Sequence, residues 1–126
     1  MTPQLGAPFV IAGRQPVSVA AAVGCGVLDL SGDLVVTSGG ALRDAVEELL
    51  AGGVGTIVLG CSGLTHIDTP GLALLQRLAV RCGESDGALI AAGLPPAFHE
   101  LTERLRLRET LQFAASVEAA LAQHAR

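Results

Sequence analysis

Two apolar runs near the start of the chain predict a β-hairpin. Residues 17–23 form the first run, Gly24-Cys25-Gly26 is typical of a turn, and residues 27–32 follow with apolar and polar positions that alternate. The preceding segment, residues 1–16, carries three of the six prolines of the chain. It predicts an extended N-terminal arm in which residues 9–11 pair as an edge strand.

The next segment predicts an amphipathic helix. Residues 33–36 form a connector, and the hydroxyls of Thr37 and Ser38 mark the start of a helix. Apolar residues then recur at helical spacing, with charged residues on the opposite face. The apolar positions are Leu42, Ala45, Val46, Leu49 and Leu50. Two glycines, Gly52 and Gly53, are predicted to end this helix.

The centre of the chain combines a strand, a polar loop and a second helix. Residues 56–60 are almost all apolar, which is typical of a central strand covered on both faces. The polar loop that follows ends at Thr69, which is predicted to be the N-cap, with Pro70 as the first helical residue. The apolar positions of this helix run from Leu72 to Cys82 and give it a wide apolar face, and Gly83 is predicted to end it.

The last third of the chain predicts two more strands and two more helices. Residues 88–93 form a buried strand and residues 110–113 a short one. Pro95-Pro96 open the third helix, and Ser116 caps the fourth. The inward-facing residues of these helices are Phe98, Leu101 and Leu105 in the third, and Val117, Ala120, Leu121 and His124 in the fourth.

Strands that alternate with helices indicate an α/β fold with a largely parallel sheet. The hairpin at the start makes the sheet mixed, with four to five strands and about four helices. At 126 residues the chain is long enough for one domain with its own core. We assign residues 17–126 to this domain.

Composition excludes several classes of protein. No apolar run reaches the roughly 20 residues of a membrane-spanning helix, and no signal peptide is visible, so a cytoplasmic location is expected. The net charge is −4, every basic residue is an arginine and only three residues are aromatic, which argues against nucleic acid as the partner. The odd count of three cysteines does not indicate a disulfide framework.

Motifs of catalysis are missing from the sequence. The three histidines, His66, His99 and His124, have no metal-ligand spacing. No nucleophile elbow and no phosphate-binding loop is present, so a small hydrolase or a nucleotide-binding enzyme is not supported. A phosphoacceptor receiver domain requires a lysine, and the chain has none. We therefore expect a protein without enzymatic activity, metal or cofactor.

Thr69 admits two explanations. Its predicted place as N-cap accounts for the residue by helix stability alone. The same place also exposes its hydroxyl to a kinase. A phosphate there adds about −1.5 to −2 charges beside Asp68, which would repel a partner docked over the loop.

The central segment resembles the STAS domain of anti-sigma factor antagonists. Residues 60–72 match the family's strand, loop and helix entry, in which an Asp-Ser-x-Gly-Leu motif carries the phosphorylated serine. Residues 30–34 resemble its Gly-Glu-Leu-Asp turn, residues 88–93 its fourth strand and residues 116–121 its C-terminal helix. This sequence departs from the pattern in having threonine for serine, Pro70 after it, and Val35 in place of the second acid of the turn.

The resemblance implies a protein that binds a kinase-type anti-sigma factor and thereby releases a sigma factor. Thr69 takes the position of the phosphoacceptor, and its phosphorylation by the ATP-dependent partner ends binding. The residues implied in partner binding are Asp33, Ser62, Gly63, Leu64, His66, Asp68, Gly71 and Leu72. The alternative within the same family is a constitutive scaffold subunit of a stressosome-like or lipid-transport assembly, without a phosphorylation switch.

Overall fold

The structure is a computed structural model, and it describes residues 10–14, 25–35, 38–104, 106 and 111–124. Strands and helices alternate along these residues. The strands are β1 (Val10–Arg14), β2 (Cys25–Leu34), β3 (Thr56–Ile67), β4 (Ala88–Ala92) and β5 (Gln112–Ala114). The α-helices are α1 (Gly39–Ala51), α2 (Thr69–Glu84), α3 (His99–Arg104) and α4 (Val117–His124), and a 3-10 turn (Pro96–Phe98) precedes α3.

The five strands form one sheet in the order β1-β2-β3-β4-β5. β1 is antiparallel to β2, whereas β2, β3, β4 and β5 are parallel to one another. This confirms the predicted α/β fold with a mixed, mostly parallel sheet. The boundary predicted at residue 16 stays a prediction, although β1 lies before it and pairs with the rest of the sheet.

Helices cover both faces of the sheet. On one face, Leu42 of α1 and Leu72 of α2 are fully buried against strand residues such as Ile57. On the other face, α4 packs Val117 and its neighbours onto a smaller cluster of strand side chains. The strand members of that cluster are Cys25, Val27, Val58, Ile90 and Ala92. Because the first half of β3 (residues 56–61) and β4 are buried on both faces, their sequences are almost continuously apolar.

The start of the sheet differs from the predicted hairpin. Val10 and Ile11 do pair as an edge strand, as expected, and residues 15–24 lie outside the described part of the chain. The predicted turn at Gly24-Cys25-Gly26 is wrong, because Cys25 and Gly26 belong to β2. A Cβ at position 26 would approach Leu49 at 3.1 Å and Val54 at 3.2 Å. This glycine therefore allows close packing against the end of α1. A glycine needed for packing looks the same in the sequence as a glycine needed for a turn.

The largest correction concerns residues 61–67, for which the sequence predicts a loop but which continue β3 to Ile67. Two irregularities in the ladder with β2 each insert one extra residue into β3. The pairs that flank them are Asp29–Gly60 and Ser31–Gly63 for the first, and Gly32–Leu64 and Asp33–His66 for the second. As a result the buried side chains of this half of β3 are Cys61, Leu64 and Ile67, spaced by three residues instead of two.

The connector predicted at residues 33–36 is also shorter than expected, because Asp33 and Leu34 still belong to β2. Helix ends agree with the sequence in part. Gly52 ends α1, and Gly53 has φ of 93°, as expected for a C-terminal glycine. The predicted end of α2 at Gly83 is wrong, because that helix continues to Glu84.

The predicted elements of the last third are present, with ends that differ by one or two residues. Ser116 caps α4, where its Oγ accepts from the backbone N–H of Ala119 at 3.0 Å. Val117, Ala120 and Leu121 are buried as predicted. Residues 105 and 110 and the side chain of His124 lie outside what the structure describes.

Candidate functional site

The predicted site lies where β2 and β3 end and α2 begins. Parallel strands deliver their carboxyl ends to the same edge of the sheet. Asp33 is paired with His66 there, and Leu34 with Ile67. The backbone N–H of Asp68 donates to the carbonyl oxygen of Leu34 at 3.3 Å, which ties the start of α2 to the end of β2.

Asp68, and not Thr69, is the N-cap of α2. Its backbone is extended (φ −92°, ψ 174°), and its Oδ1 accepts from the N–H of Gly71 at 2.7 Å. Thr69 is therefore the first helical residue and Pro70 the second, one position later than predicted. A proline fits both positions, because no backbone N–H in the first turn has a partner within the helix. Pro70 therefore does not determine which residue is the N-cap, and the carboxylate of Asp68 caps the helix.

Thr69 is left with an exposed side chain that makes no hydrogen bond to another residue within the described ranges. Helix capping consequently no longer explains this threonine. Its hydroxyl lies at the positive end of a 16-residue helix, where a negative charge is favoured. Nearby N–H donors are few, since Pro70 has none and that of Gly71 is taken by Asp68.

Thr65 is a member of this edge that the sequence did not indicate. Its Oγ1 donates to Oδ1 of Asp33 at 2.6 Å, so that a strand residue of β3 holds the carboxylate at the end of β2. Thr65 lies beside β2 and its side chain reaches Asp33 because β3 continues through this residue. A loop at this position, as the sequence predicts, gives no indication of the contact. The only signal for this hydrogen bond is the pairing of β2 with β3, and that signal can be used only when the register of the two strands is known.

Ser38 holds the backbone beside Asp33 from the other side. Its Oγ accepts from the N–H of Val35 at 2.9 Å and lies 2.9 Å from the carbonyl oxygen of Asp33, to which it donates. The serine occupies the N-cap position of α1 as predicted, but its side chain makes no capping hydrogen bond to that helix. Its hydroxyl instead closes the turn from β2 to α1.

The remaining predicted residues fall into an exposed and a buried set. The exposed ones are Ser62, Gly63 and His66, and with Asp33, Thr65 and Thr69 they form what we call the Thr69 surface. Leu64 is 4% exposed and Leu72 is fully buried, so their side chains belong to the core. Gly71 is also buried, and a Cβ there would lie 2.5 Å from the carbonyl oxygen of Leu34. Partner binding by these three residues stays a prediction. Because they are buried, such contacts would involve their backbone and not their side chains.

The three thiols lie in the core. Cys25, Cys61 and Cys82 are buried and form no disulfide. Burial raises the pKa of Cys61 to about 12, against a smaller opposing effect of a backbone hydrogen bond with Ala92. Burial also raises the pKa of the other two thiols. A protonated, inaccessible thiol is a poor nucleophile.

Metal ligands are not grouped in the described part of the chain, where no three His, Cys, Asp or Glu side chains are placed to hold an ion. None of the helices described there is both long and apolar enough to cross a membrane. The Thr69 surface offers three hydroxyls, an imidazole and the carboxylate of Asp33 at the end of the sheet, an arrangement suited to recognition of another molecule.

Comparison with known proteins agrees with this architecture. A family described as "Mlab, STAS domain" matches residues 17–125. No match was found among curated proteins. Among solved structures, an anti-sigma factor antagonist from Mycobacterium paratuberculosis is similar with a TM-score of 0.78 and 18% identity, over 94% of this chain and 96% of that one.

Two structures of SpoIIAA are also similar. The anti-sigma factor antagonist SpoIIAA in its unphosphorylated form has a TM-score of 0.73 and 17% identity, over 90% of this chain and 95% of that one. The Bacillus cell fate determinant SpoIIAA in the phosphorylated form has a TM-score of 0.67 and 18% identity, over 90% and 98%. At such identities the likeness establishes the fold.

Proposed function

Because the chain belongs to the STAS domain family, we propose that it is a cytoplasmic anti-sigma factor antagonist controlled at Thr69. In its unphosphorylated form it binds an anti-sigma factor that has kinase activity, and a sigma factor is released. Phosphorylation of Thr69 ends this binding. The observation that carries the proposal is the exposed Thr69 hydroxyl at the start of α2, which is not the cap of that helix because Asp68 is.

The geometry of α2 supports a switch that acts through charge. A phosphate on Thr69 adds about −1.5 to −2 charges to a chain with net charge −4, next to the Asp68 carboxylate. The helix end tolerates this charge. Pro70 has no backbone N–H, and that of Gly71 already donates to Asp68. The phosphate therefore has few backbone donors in its own helix. It therefore remains at the surface, where a docked partner meets it directly.

The antagonist itself catalyses no reaction in this proposal. ATP belongs to the partner, which transfers its γ-phosphate to the Thr69 hydroxyl, and the antagonist contributes the acceptor and the surface around it. Asp33, Ser62, Gly63 and His66 would contact the partner on either side of the acceptor. No metal or cofactor of its own is required for this role.

The experiment measures binding to the kinase-type anti-sigma factors of the source organism, each purified and tested singly. Thr69→Ala is expected to bind as tightly as the unmodified chain, and Thr69→Glu at least about tenfold more weakly. Ser85→Glu is the matched control, because it adds the same charge at the exposed, opposite end of the same helix. Equal affinity of Thr69→Ala and Thr69→Glu would contradict the switch.

A second candidate keeps the fold and removes the switch. The family that matches the chain is described without mention of an anti-sigma factor, and Thr69 is followed by a proline. Both observations also suit a constitutive scaffold subunit of a stressosome-like or lipid-transport assembly. Intact mass after incubation with ATP and the bound partner separates the two, since a scaffold subunit gains no phosphate.

A further inference from the structure

A cleft lies between the first turns of α1 and α2, on the side of α2 that faces α1. Its volume is about 170 Å³, well above the roughly 10–15 Å³ that a single water molecule needs. The backbone of Gly39 and Gly40 forms one wall, and that of Pro70 and Gly71 forms the other. The side chains of Arg43 and Arg77 line the same cleft.

The two arginines give the cleft a positive charge that its own lining does not neutralise. Apart from them, the lining consists of glycine, proline and aliphatic residues, without an acid. Arg77 forms no ion pair with any residue in the described ranges. Arg43 has only a 3.7 Å contact with the Asp44 carboxylate, in which both side chains are mostly exposed. Such an exposed pair is weak and exchangeable.

The direction of the helices places Arg77 towards the cleft. Helical side chains lean towards the N-terminus of their helix, so the long side chain of Arg77 extends back in the direction of Pro70. Arg43 stands one turn into α1, beside Gly40. Like charges repel each other and an anion attracts both, so two arginines on one small cleft favour an anion there.

Packing requires a glycine at two positions of the cleft, Gly39 and Gly71. A Cβ at Gly39 would lie 2.7 Å from Leu74, and one at Gly71 would lie 2.5 Å from the carbonyl oxygen of Leu34. Neither helix has an acidic residue in its first turn. The positive end of α1 therefore adds to the charge of the arginines, whereas that of α2 is partly offset by the Asp68 carboxylate that caps it.

We propose that this cleft binds a phosphate group, held by the guanidinium groups of Arg43 and Arg77. The planar guanidinium group matches the oxygen atoms of a phosphate in a bidentate manner, and the cleft is large enough for one such group with some bound water. Inorganic phosphate and a phosphomonoester share this chemistry. The site does not depend on the partner or on phosphorylation at Thr69.

The experiment is a titration of the ¹⁵N-labelled full chain, followed by NMR, with chloride at equal ionic strength as the reference. Inorganic phosphate is one probe and glycerol 3-phosphate the other. Saturable shifts of the Gly39, Gly40 and Gly71 amides are expected. Arg43→Gln and Arg77→Gln should each weaken binding about tenfold, the loss expected for one charge-assisted pair.

Arg104→Gln is the control, because Arg104 is an exposed arginine of α3 that pairs with Glu100 at 3.1 Å. It should bind both probes like the unmodified chain. Tighter binding of glycerol 3-phosphate would identify an ester as the ligand, and tighter binding of inorganic phosphate the free ion; either supports the site. Shifts that chloride reproduces, shifts that map elsewhere, or equal affinity of all three variants would overturn it.

Discussion

The identity of the residue that caps α2 can be tested by three substitutions at two neighbouring positions. Asp68→Ala removes the Oδ1 acceptor of the 2.7 Å hydrogen bond from Gly71 and also a negative charge at the helix start. Asp68→Asn keeps an acceptor and removes the charge alone. Thr69→Ala removes a hydroxyl that is exposed and has no partner in the described ranges.

The expected magnitudes differ enough to be resolved. Loss of an N-cap costs about 1 kcal/mol, and loss of a charge at the helix start a further 0.3–1 kcal/mol or so. Asp68→Ala should therefore lower the free energy of unfolding by about 1.5 kcal/mol, which for a chain of this length corresponds to roughly 3–6 °C in Tm. Asp68→Asn should lose about 0.5 kcal/mol, and Thr69→Ala should stay within about 0.5 kcal/mol of the unmodified chain.

Urea denaturation followed by far-UV circular dichroism measures all four proteins under one condition. The slope of the free energy against urea should be the same for each, since none of the changes alters the surface exposed on unfolding. The reasoning is refuted if Thr69→Ala loses as much stability as Asp68→Ala. In that case the hydroxyl of Thr69 is the cap, and its presence needs no functional explanation.

Three further predictions concern two glycines, the cap of α4 and a buried thiol. Gly40→Ala should raise the free energy of unfolding by up to about 1 kcal/mol, because a Cβ there meets nothing within 4 Å. Gly87→Ala should lower it by about 3 kcal/mol, because a Cβ there overlaps the backbone of Gly55. Equal Tm values for the two variants would contradict this packing. Ser116→Ala should cost about 1 kcal/mol by removing the cap of α4, and unchanged urea denaturation would rule that cap out. The pKa of Cys61 is raised by burial from 9.0 to about 12, so its contribution to stability is complete below pH 9 and is lost as the pH rises from 9 towards 12. The free energy of unfolding should fall there by up to about 1.4 kcal/mol per pH unit, and Cys61→Ala should flatten this dependence; an identical slope would exclude Cys61 as its source.

The order of the elements was predictable because each apolar run is separated from the next by a glycine, a proline or a capping residue. The helix α1 illustrates this, since Leu42 and Val46 mark its buried side and Gly52 its end. The first half of β3 and the whole of β4 are apolar on both faces, which is typical of strands inside a sheet. Together these features carried the α/β fold.

The second half of β3 could not be predicted from alternation. Each bulge shifts the inward positions by one residue, so the buried Cys61, Leu64 and Ile67 acquire a spacing of three. Gly60 and Gly63 added the appearance of a turn, although Gly60 packs beneath Asp29 and Gly63 approaches the carbonyl oxygen of Leu30. Glycines needed for close approach and glycines needed for turns look alike in sequence.

The candidate site was predictable in position but not in detail. Asp33, His66, Asp68 and Thr69 do meet at one edge of the sheet, because the carboxyl ends of parallel strands converge there. The cap was assigned one residue late, since aspartate and threonine are both good N-caps and proline fits either of the first two helical positions. Thr65 was missed because its partner Asp33 lies on another strand.

The measurement that tests the central claim most directly follows one antagonist preparation through the switch. Affinity for the kinase-type anti-sigma factor is measured by biolayer interferometry before and after enzymatic phosphorylation, with peptide mass spectrometry to locate the phosphate. We expect one phosphate, on Thr69, and an affinity at least about tenfold lower once it is present, with no change in a Thr69→Ala sample treated in the same way. A phosphate on another residue, or full affinity with Thr69 phosphorylated, would contradict it.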